Sequence, residues 1–509
     1  MTDLSPPSRR SASPGLILLG LVLVAFVSRA WQFGNPLIHP DEGFYLLAGE
    51  RILGGTIPYA EIWDSKPMGL FLLYSAIRLL GGDGIVQYQI VATLFAAATA
   101  FLIYRMALRF AAATGAAVAA IAYLLYLLAF GGVGGQSQVF YNLIVAAAAW
   151  LTFRTIDPAA DRRLPLRATG AGIMILLGIC LQIKYSMVFE GIYFGLALLW
   201  RGWADGRRLG TLALDAALWI ACALLPTGIL MATFFAAGYG TEFMQGNFLS
   251  ILGRDDPLLP ALGRLALTIV MLAPFWLCLR AIRKRDRGIV PAFFLYWLAA
   301  AILGYLVFGS FYDHYTIPML VPLAIVSASV LSLERNRRGL AIFLLGSALV
   351  LGFGKAILDR VERGAPADAE HMAVVIAPRL QQPGGCLYVY EGDPILYKLT
   401  GACLATRFAF PGHLSNAKHI DSMGFDTVEE VRQIMSRRPA VVVTAQYPRS
   451  LSNMGTRTAM AQALRADYRL VETAEVGRKK WMIFERVAPG QGTAELPLER
   501  PDGSGTVDF

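Results

Sequence analysis

Apolar blocks separated by short polar stretches dominate the chain. Leu16–Val27, Val118–Phe130 and Leu340–Leu351 are nearly continuous hydrophobic runs, and similar blocks recur up to about residue 355. A helix needs about 20 such residues to cross about 30 Å of hydrocarbon. The pattern predicts one uncleaved span after the polar residues 1–14. Further spans follow near 85–105, 112–130, 138–153, 168–183, 186–200, 211–236, 261–280, 289–309, 315–333 and 339–355. That makes about eleven transmembrane helices, with Lys184 dividing 168–200 into two of them. Pro67–Leu80 is apolar for only 14 residues. Too short to span, it predicts an amphipathic helix lying along or dipping into the interface.

Beyond residue 355 charge and proline rise, and no span occurs. Leu387–Tyr390, Ala440–Thr444 and Trp481–Arg486 read as strands, with helices at Thr427–Arg437 and Thr456–Arg465 between them. The expected organisation is a helical membrane domain over 1–355, a small α/β domain over 356–490 and a disordered, Pro- and Gly-rich tail over 491–509.

Composition agrees with this picture. Of 509 residues 56% are hydrophobic and 16% charged, against a norm of about a quarter charged in soluble domains. A soluble enzyme, a disordered regulator and a disulfide scaffold are excluded. The net charge of +9 comes from basic residues lying between apolar blocks, which are topology signals, and no nucleic-acid partner is expected. With the N-terminus inside, nineteen lysines and arginines fall in cytoplasmic segments, among them Arg9, Arg10, Arg105, Arg109, Arg207, Arg208 and Arg283–Arg285. Only Arg51, Lys66, Arg78, Lys184 and Arg254 fall in the short outward segments. This asymmetry puts the loop 34–84 and the C-terminal domain outside.

The cytoplasmic loops are too short for a nucleotide-binding domain, and no GxxxxGK[ST] occurs. Gly131–Gly135 (GGVGG) lacks the strand–helix context of a phosphate loop. Cys180, Cys222 and Cys278 sit in spans as small hydrophobes. Cys386 and Cys403 lie in the outward region, where they can pair.

Polar residues able to do chemistry collect on the outward side. His39-Pro40-Asp41-Glu42-Gly43-Phe44-Tyr45 is followed by Trp63-Asp64-Ser65-Lys66-Pro67. Adjacent carboxylates with a nearby lysine suit acid/base work beside an anion site. The same residues suit helix starts, with Pro40 or Pro67 opening a helix and Asp41, Glu42 or Asp64 at its N-terminus. Lys184 is an ionisable group in an apolar setting, a functional candidate by default or a snorkelling one; Glu190, six residues on, is the more ambiguous of the two. Phe311–Tyr315 reads as an interfacial aromatic belt, which leaves Asp313 and His314 unexplained. Arg254, in the outward loop Tyr239–Pro257, is either a phosphate ligand or a solvated charge. His39, Asp41, Asp64 and His314 together offer divalent-metal ligands, without a fixed spacing. A transporter would instead hold its polar groups near the midplane.

Residues 39–80 resemble the membrane glycosyltransferases of the GT-C fold. The likeness is to glycosyltransferase family 39, which includes dolichyl-phosphate-mannose–protein mannosyltransferases and aminoarabinose transferases. Asp41, Glu42 and Tyr45 match the Asp-Glu-x-x-Tyr of that family's first outward loop. Lys66-Pro67 matches its Lys-Pro-Pro, with Met68 in place of the second proline, and His314-Tyr315-x-x-Pro318 its late Tyr-x-x-Pro. The sequence departs where many members carry an acid at the start of the fourth span and Gln136-Ser137-Gln138 stands here; Asp64 is the nearest substitute. The resemblance implies an inverting transfer of a sugar from a polyprenyl-phosphate carrier to an acceptor lipid, glycan or protein, at the outer face of a bacterial inner membrane. Asp41 would be the base, and Glu42 would orient it or the donor. Lys66 and Lys184 would hold the phosphate, with Tyr45, Asp64, Arg254, His314 and Tyr315 around the substrate. No cofactor is required, although a divalent metal is compatible. A lipid-linked glycan polymerase or ligase of the same fold, and a transporter or flippase, are the alternatives.

Overall fold

A computed structural model describes residues 13–157, 164–252, 256–285, 290–333, 338–382, 384–449 and 451–499. Helices occupy every expected span. The first seven are α1 (Pro14–Arg29), α2 (Pro40–Leu53), α3 (Met68–Arg78), α4 (Ile85–Ala107), α5 (Ala113–Ala129), α6 (Ser137–Ile156) and α7 (Leu166–Leu181). Then come α8 (Val188–Ala204), α9 (Leu209–Ala236), a broken pair at Leu258–Met271 and Ala273–Arg285, and helices at Ala292–Phe308, Ile317–Ser327 and Arg338–Arg363. Among the described residues five helices are long and apolar enough to cross a membrane singly, and the broken pair makes a sixth candidate. The others are shorter and complete the bundle by packing on these.

Three departures from the expected spans have local causes. The span expected at 261–280 bends by 57° at Leu272, because Pro274 has no N–H for the preceding turn and its ring crowds the carbonyl there. The last span does not stop at 355. Its helix runs to Arg363 and carries Lys355, Asp359 and Arg363 beyond the expected end. Near Lys184 the chain leaves helix altogether: Lys184 is extended (φ −160°), and a 3-10 turn at Tyr185–Met187 leads into α8.

Pro67–Leu80 forms the expected short helix, α3, packed on α2 and anchored to the break before α8. The Leu70 amide donates to the Gln182 carbonyl at 2.9 Å. A Cβ on Gly69 would lie 2.5 Å from the Gln182 side chain, so only glycine permits this approach. The contact ties the segment bearing Lys66 to the one bearing Lys184.

The C-terminal α/β domain, expected on the outward side, is a four-stranded sheet of order β1-β2-β4-β3. β1 (Leu387–Val389) is parallel to β2 (Val441–Ala445). β4 (Lys479–Arg486) runs antiparallel both to β2 and to β3 (Tyr468–Val476). Both expected helices are present, at Thr427–Ser436 and Met454–Asp467. β3 escaped the sequence reading because Tyr-Arg-Leu-Val-Glu-Thr-Ala-Glu-Val is an edge strand with mixed exposure. The expectation of a disordered tail fails for its first residues. The amides of Gly492 and Ala494 donate to Ala466 and Tyr468, and the Arg457 guanidinium donates to the Pro497 carbonyl. Residues 500–509 lie outside the described residues.

Cys386 and Cys403 are disulfide-bonded. The outward loop and this domain are clamped together as well. The Trp63 amide donates to Arg407 O at 2.9 Å, Lys398 pairs with Glu50, and the Arg51 guanidinium donates to Ala402 O.

Candidate active site

The site forms where α2, the Asp64–Lys66 turn, the Lys184 break, the Asp313–Tyr315 turn and the outward domain meet. His39 caps α2. Its Nδ1 accepts from the Asp41 amide at 3.2 Å, and Pro40, needing no such partner, opens the first turn. Burial lowers the His39 pKa to about 3, so the ring is neutral and uses its lone pair as the cap. The Asp41 carboxyl is only 14% exposed. Burial alone would raise its pKa, yet Lys66, ahead of His39, His314 and Lys184, holds it well below the usual carboxylate range. With both imidazoles neutral near pH 7, the two lysines carry that effect.

Glu42, one residue on, has the opposite character. It is fully buried and packs against the GGVGG turn, where a Cβ at Gly134 would lie 2.1 Å from its Oε2. The Gly135 amide and Tyr88 hydroxyl face it, but neither completes a hydrogen bond of good geometry with it. Burial pushes its pKa up to about 8, so Glu42 is a neutral acid wedging α2 against that turn. Gln136 and Gln138, where an acid was expected by resemblance, are buried, and neither Nε2 has an acceptor among the described residues.

Lys66 Nζ lies 3.6 Å from Asp64 Oδ1 and within 6.0 Å of the ring centres of Tyr45 and Phe410. Asp64 is buried. Burial opposes its ionisation, but Lys66 and a hydrogen bond from His413 bring its pKa down to about 2. Lys184 Nζ stands 4.2 Å from the centre of the Tyr315 ring. The His314 ring packs edge-on to Tyr315 and to His39, with centroids 4.7 and 5.6 Å apart. His314 Nδ1 is 3.2 Å from Asp313 Oδ1; a carboxylate only accepts, so the imidazole proton is on Nδ1.

Asp41, Tyr45, Asp64, Lys66, Lys184, His314 and Tyr315 thus lie in one region of the structure. Arg254 lies outside the described residues. Glu190 does not join them: its carboxylate accepts from Trp297 Nε1 at 2.7 Å, away from this cluster. Among the described residues no group of three or more His, Cys, Asp or Glu side chains stands close enough together to hold a metal ion.

Sequence reasoning missed the contribution of the outward domain. Phe410 packs edge-on against Phe44 and His413 reaches Asp64. A Cβ at Gly43, in the first turn of α2, would lie 3.1 Å from Asp393 Oδ1. Lys418 Nζ lies 3.1 Å from the Tyr312 hydroxyl. The only local signal was the aromatic run Phe408–His413 (FAFPGH) in an otherwise polar region.

No family model matches the sequence, and no curated protein does. Solved structures do match it. ArnT from Cupriavidus metallidurans bound to undecaprenyl phosphate superposes with a TM-score of 0.62 at 16% identity, over 96% of this chain and 100% of that one. The same protein in the apo state gives 0.58 at 17% identity, over 93% and 98%. The oligosaccharyltransferase of Archaeoglobus fulgidus in the apo form gives 0.52 at 11%, over 91% of this chain and 74% of that one. The archaeal oligosaccharyltransferase AglB from the same organism, in complex with an inhibitory peptide and a dolichol-phosphate, gives 0.52 at 10% identity, over 89% and 72%. The chain is thus a multi-pass membrane protein with the GT-C architecture. Within that architecture it shares with ArnT both the helical bundle and the small C-terminal mixed sheet.

Proposed function

We propose that the chain transfers a sugar from a polyprenyl-phosphate carrier to a hydroxyl or amine of an acceptor lipid, glycan or protein, at the outer face of the inner membrane and with inversion. The observation that carries this reading is the largely buried Asp41 carboxylate in the first turn of α2, with Lys66 and Lys184 among the charges that act on it. The undecaprenyl phosphate on ArnT and the dolichol-phosphate on AglB support a lipid-phosphate donor.

Asp41 accepts the proton of the acceptor group as its oxygen or nitrogen attacks the anomeric carbon. The bond from that carbon to the phosphate oxygen breaks, and the lipid phosphate leaves as an anion paired with Lys66 and Lys184. The low basicity of Asp41 beside the two lysines fits this sequence. A bound phosphate neutralises the two lysines, removes their hold on the carboxylate and raises its basicity when the acceptor arrives. Tyr45 and Tyr315 wall the two ammonium groups, and His314 and Asp64 fix Tyr315 and Lys66. Because the lysines supply the positive charge, activity is expected to survive a metal chelator.

The test is glycosyl transfer in membranes expressing the wild type or Asp41→Asn, with radiolabelled polyprenyl-phosphate sugars and counting of lipid, glycan and protein fractions. Label that moves only with Asp41 intact supports the reading and names the acceptor class. Equal transfer by both forms removes Asp41 as the base.

A further inference from the structure

The proposed reaction relies on the Lys66 ammonium acting on the site of Asp41, and the start of α3 at Met68 fixes the backbone of Lys66 but not its ammonium. What fixes it is a chain of buried groups that begins in the other domain. His413, on the short outward helix Gly412–Ser415, is 3% exposed, and its Nε2 lies 3.5 Å from Asp64 Oδ1. The same Oδ1 is 3.6 Å from Lys66 Nζ and accepts from the Ser65 amide.

The ring is boxed by Trp63 at 4.6 Å and Phe410 at 5.1 Å between centroids, with His419 edge-on at 5.8 Å and Phe44 at 6.5 Å. A boxed ring has one orientation. A buried carboxylate that loses a donor faces its full desolvation cost, and then swings toward whatever cation is near. Without His413, Asp64 would be drawn onto Lys66 and hold the ammonium away from the phosphate.

We infer that His413 is a positioning residue of the transferase site: by holding Asp64 from the outward domain, it keeps the Lys66 ammonium available to the donor phosphate. This rests on the function proposed above.

The experiment uses the full chain in nanodiscs and reads two quantities, the Kd for undecaprenyl phosphate and the rate of sugar transfer. His413→Phe keeps the aromatic box and removes the donor. It should raise that Kd about tenfold, in line with a lost hydrogen bond to a charged group. His413→Gln, which restores an N–H donor, should return it to within about threefold. Asp64→Asn combined with His413→Phe should add less than about twofold to either single variant, because residues acting through one contact are not additive.

A purely structural role would move the thermal midpoint of both His413 variants, without rescue by Gln and without non-additivity; that result overturns the inference. So does a His413→Phe variant that binds like the wild type. If His413→Phe does not fold, His413→Leu takes its place in the same comparison. A wild type that neither binds undecaprenyl phosphate nor transfers sugar overturns the functional reading, and this inference with it. Transfer by the wild type with indifferent variants overturns this inference alone.

Discussion

Asp41 and Glu42 show how far neighbouring acids can diverge. One faces two ammonium groups and stays charged; the other is driven into a glycine turn and stays protonated. Glu42→Gln should therefore retain most of the transfer activity, where Asp41→Asn should abolish it. The pH dependence of stability has a definite sign. Between about pH 4.5 and about 8 the unfolded chain has released the Glu42 proton and the folded chain has kept it, because burial raises its pKa from 4.5 to about 8. Stability accordingly falls as pH rises through that window and levels off above it. The Glu42→Gln variant lacks this slope, so its thermal midpoint should gain on the wild type's from pH 5 to pH 8. Gly134→Ala should cost on the order of 1–3 kcal/mol through its clash with Glu42, and Glu42→Ala should relieve that cost in the double variant; denaturation in detergent would measure both. Lys66→Met should slow transfer by roughly 10²–10³-fold, the scale of a lost oxyanion donor. Asp41 and Lys66 were legible in the sequence because both stand in short motifs on an outward loop. The neutrality of Glu42 was not, since it depends on the turn at 134–135, some ninety residues along the chain.

The helices were legible wherever hydropathy alone decides them, and even the division at Lys184 follows from a single charge in an apolar run. Hydropathy averages over a window, however, and so it ran straight through Leu272, where Pro274 breaks the helix by 57°. It also missed β3, whose polar edge carries no clear alternation. The Cys386–Cys403 disulfide closes a loop with a sequence separation of 17 at the start of β1, where Leu387 pairs with Leu404. Loops of about 15 residues gain about 3 kcal/mol from such a bond. Cys386→Ser should destabilise the outward sheet by that order in a thermal melt. Thiol labelling of the unfolded, unreduced wild type should find Cys180, Cys222 and Cys278 free and the other two blocked.

Across the whole molecule, the site is built from both ends of the chain. Asp41, Asp64 and Lys66 stand near the beginning, while Asp393, Phe410 and His413 come from the outward domain near its end. Helical periodicity and hydropathy report only local relations, so no reading of either half could reveal that the domain after residue 363 lines the site. Its residues meet the first loop through single side chains whose positions depend on the completed fold. The clamp of Lys398 on Glu50 spans a sequence separation of 348. This arrangement has a consequence for biosynthesis. The ribosome delivers the loop carrying Asp41 into the membrane long before it has made the residues that close over it. A half-made chain thus carries the charged groups but not their enclosure, which forms only once the residues after 363 have been made and have folded into their sheet.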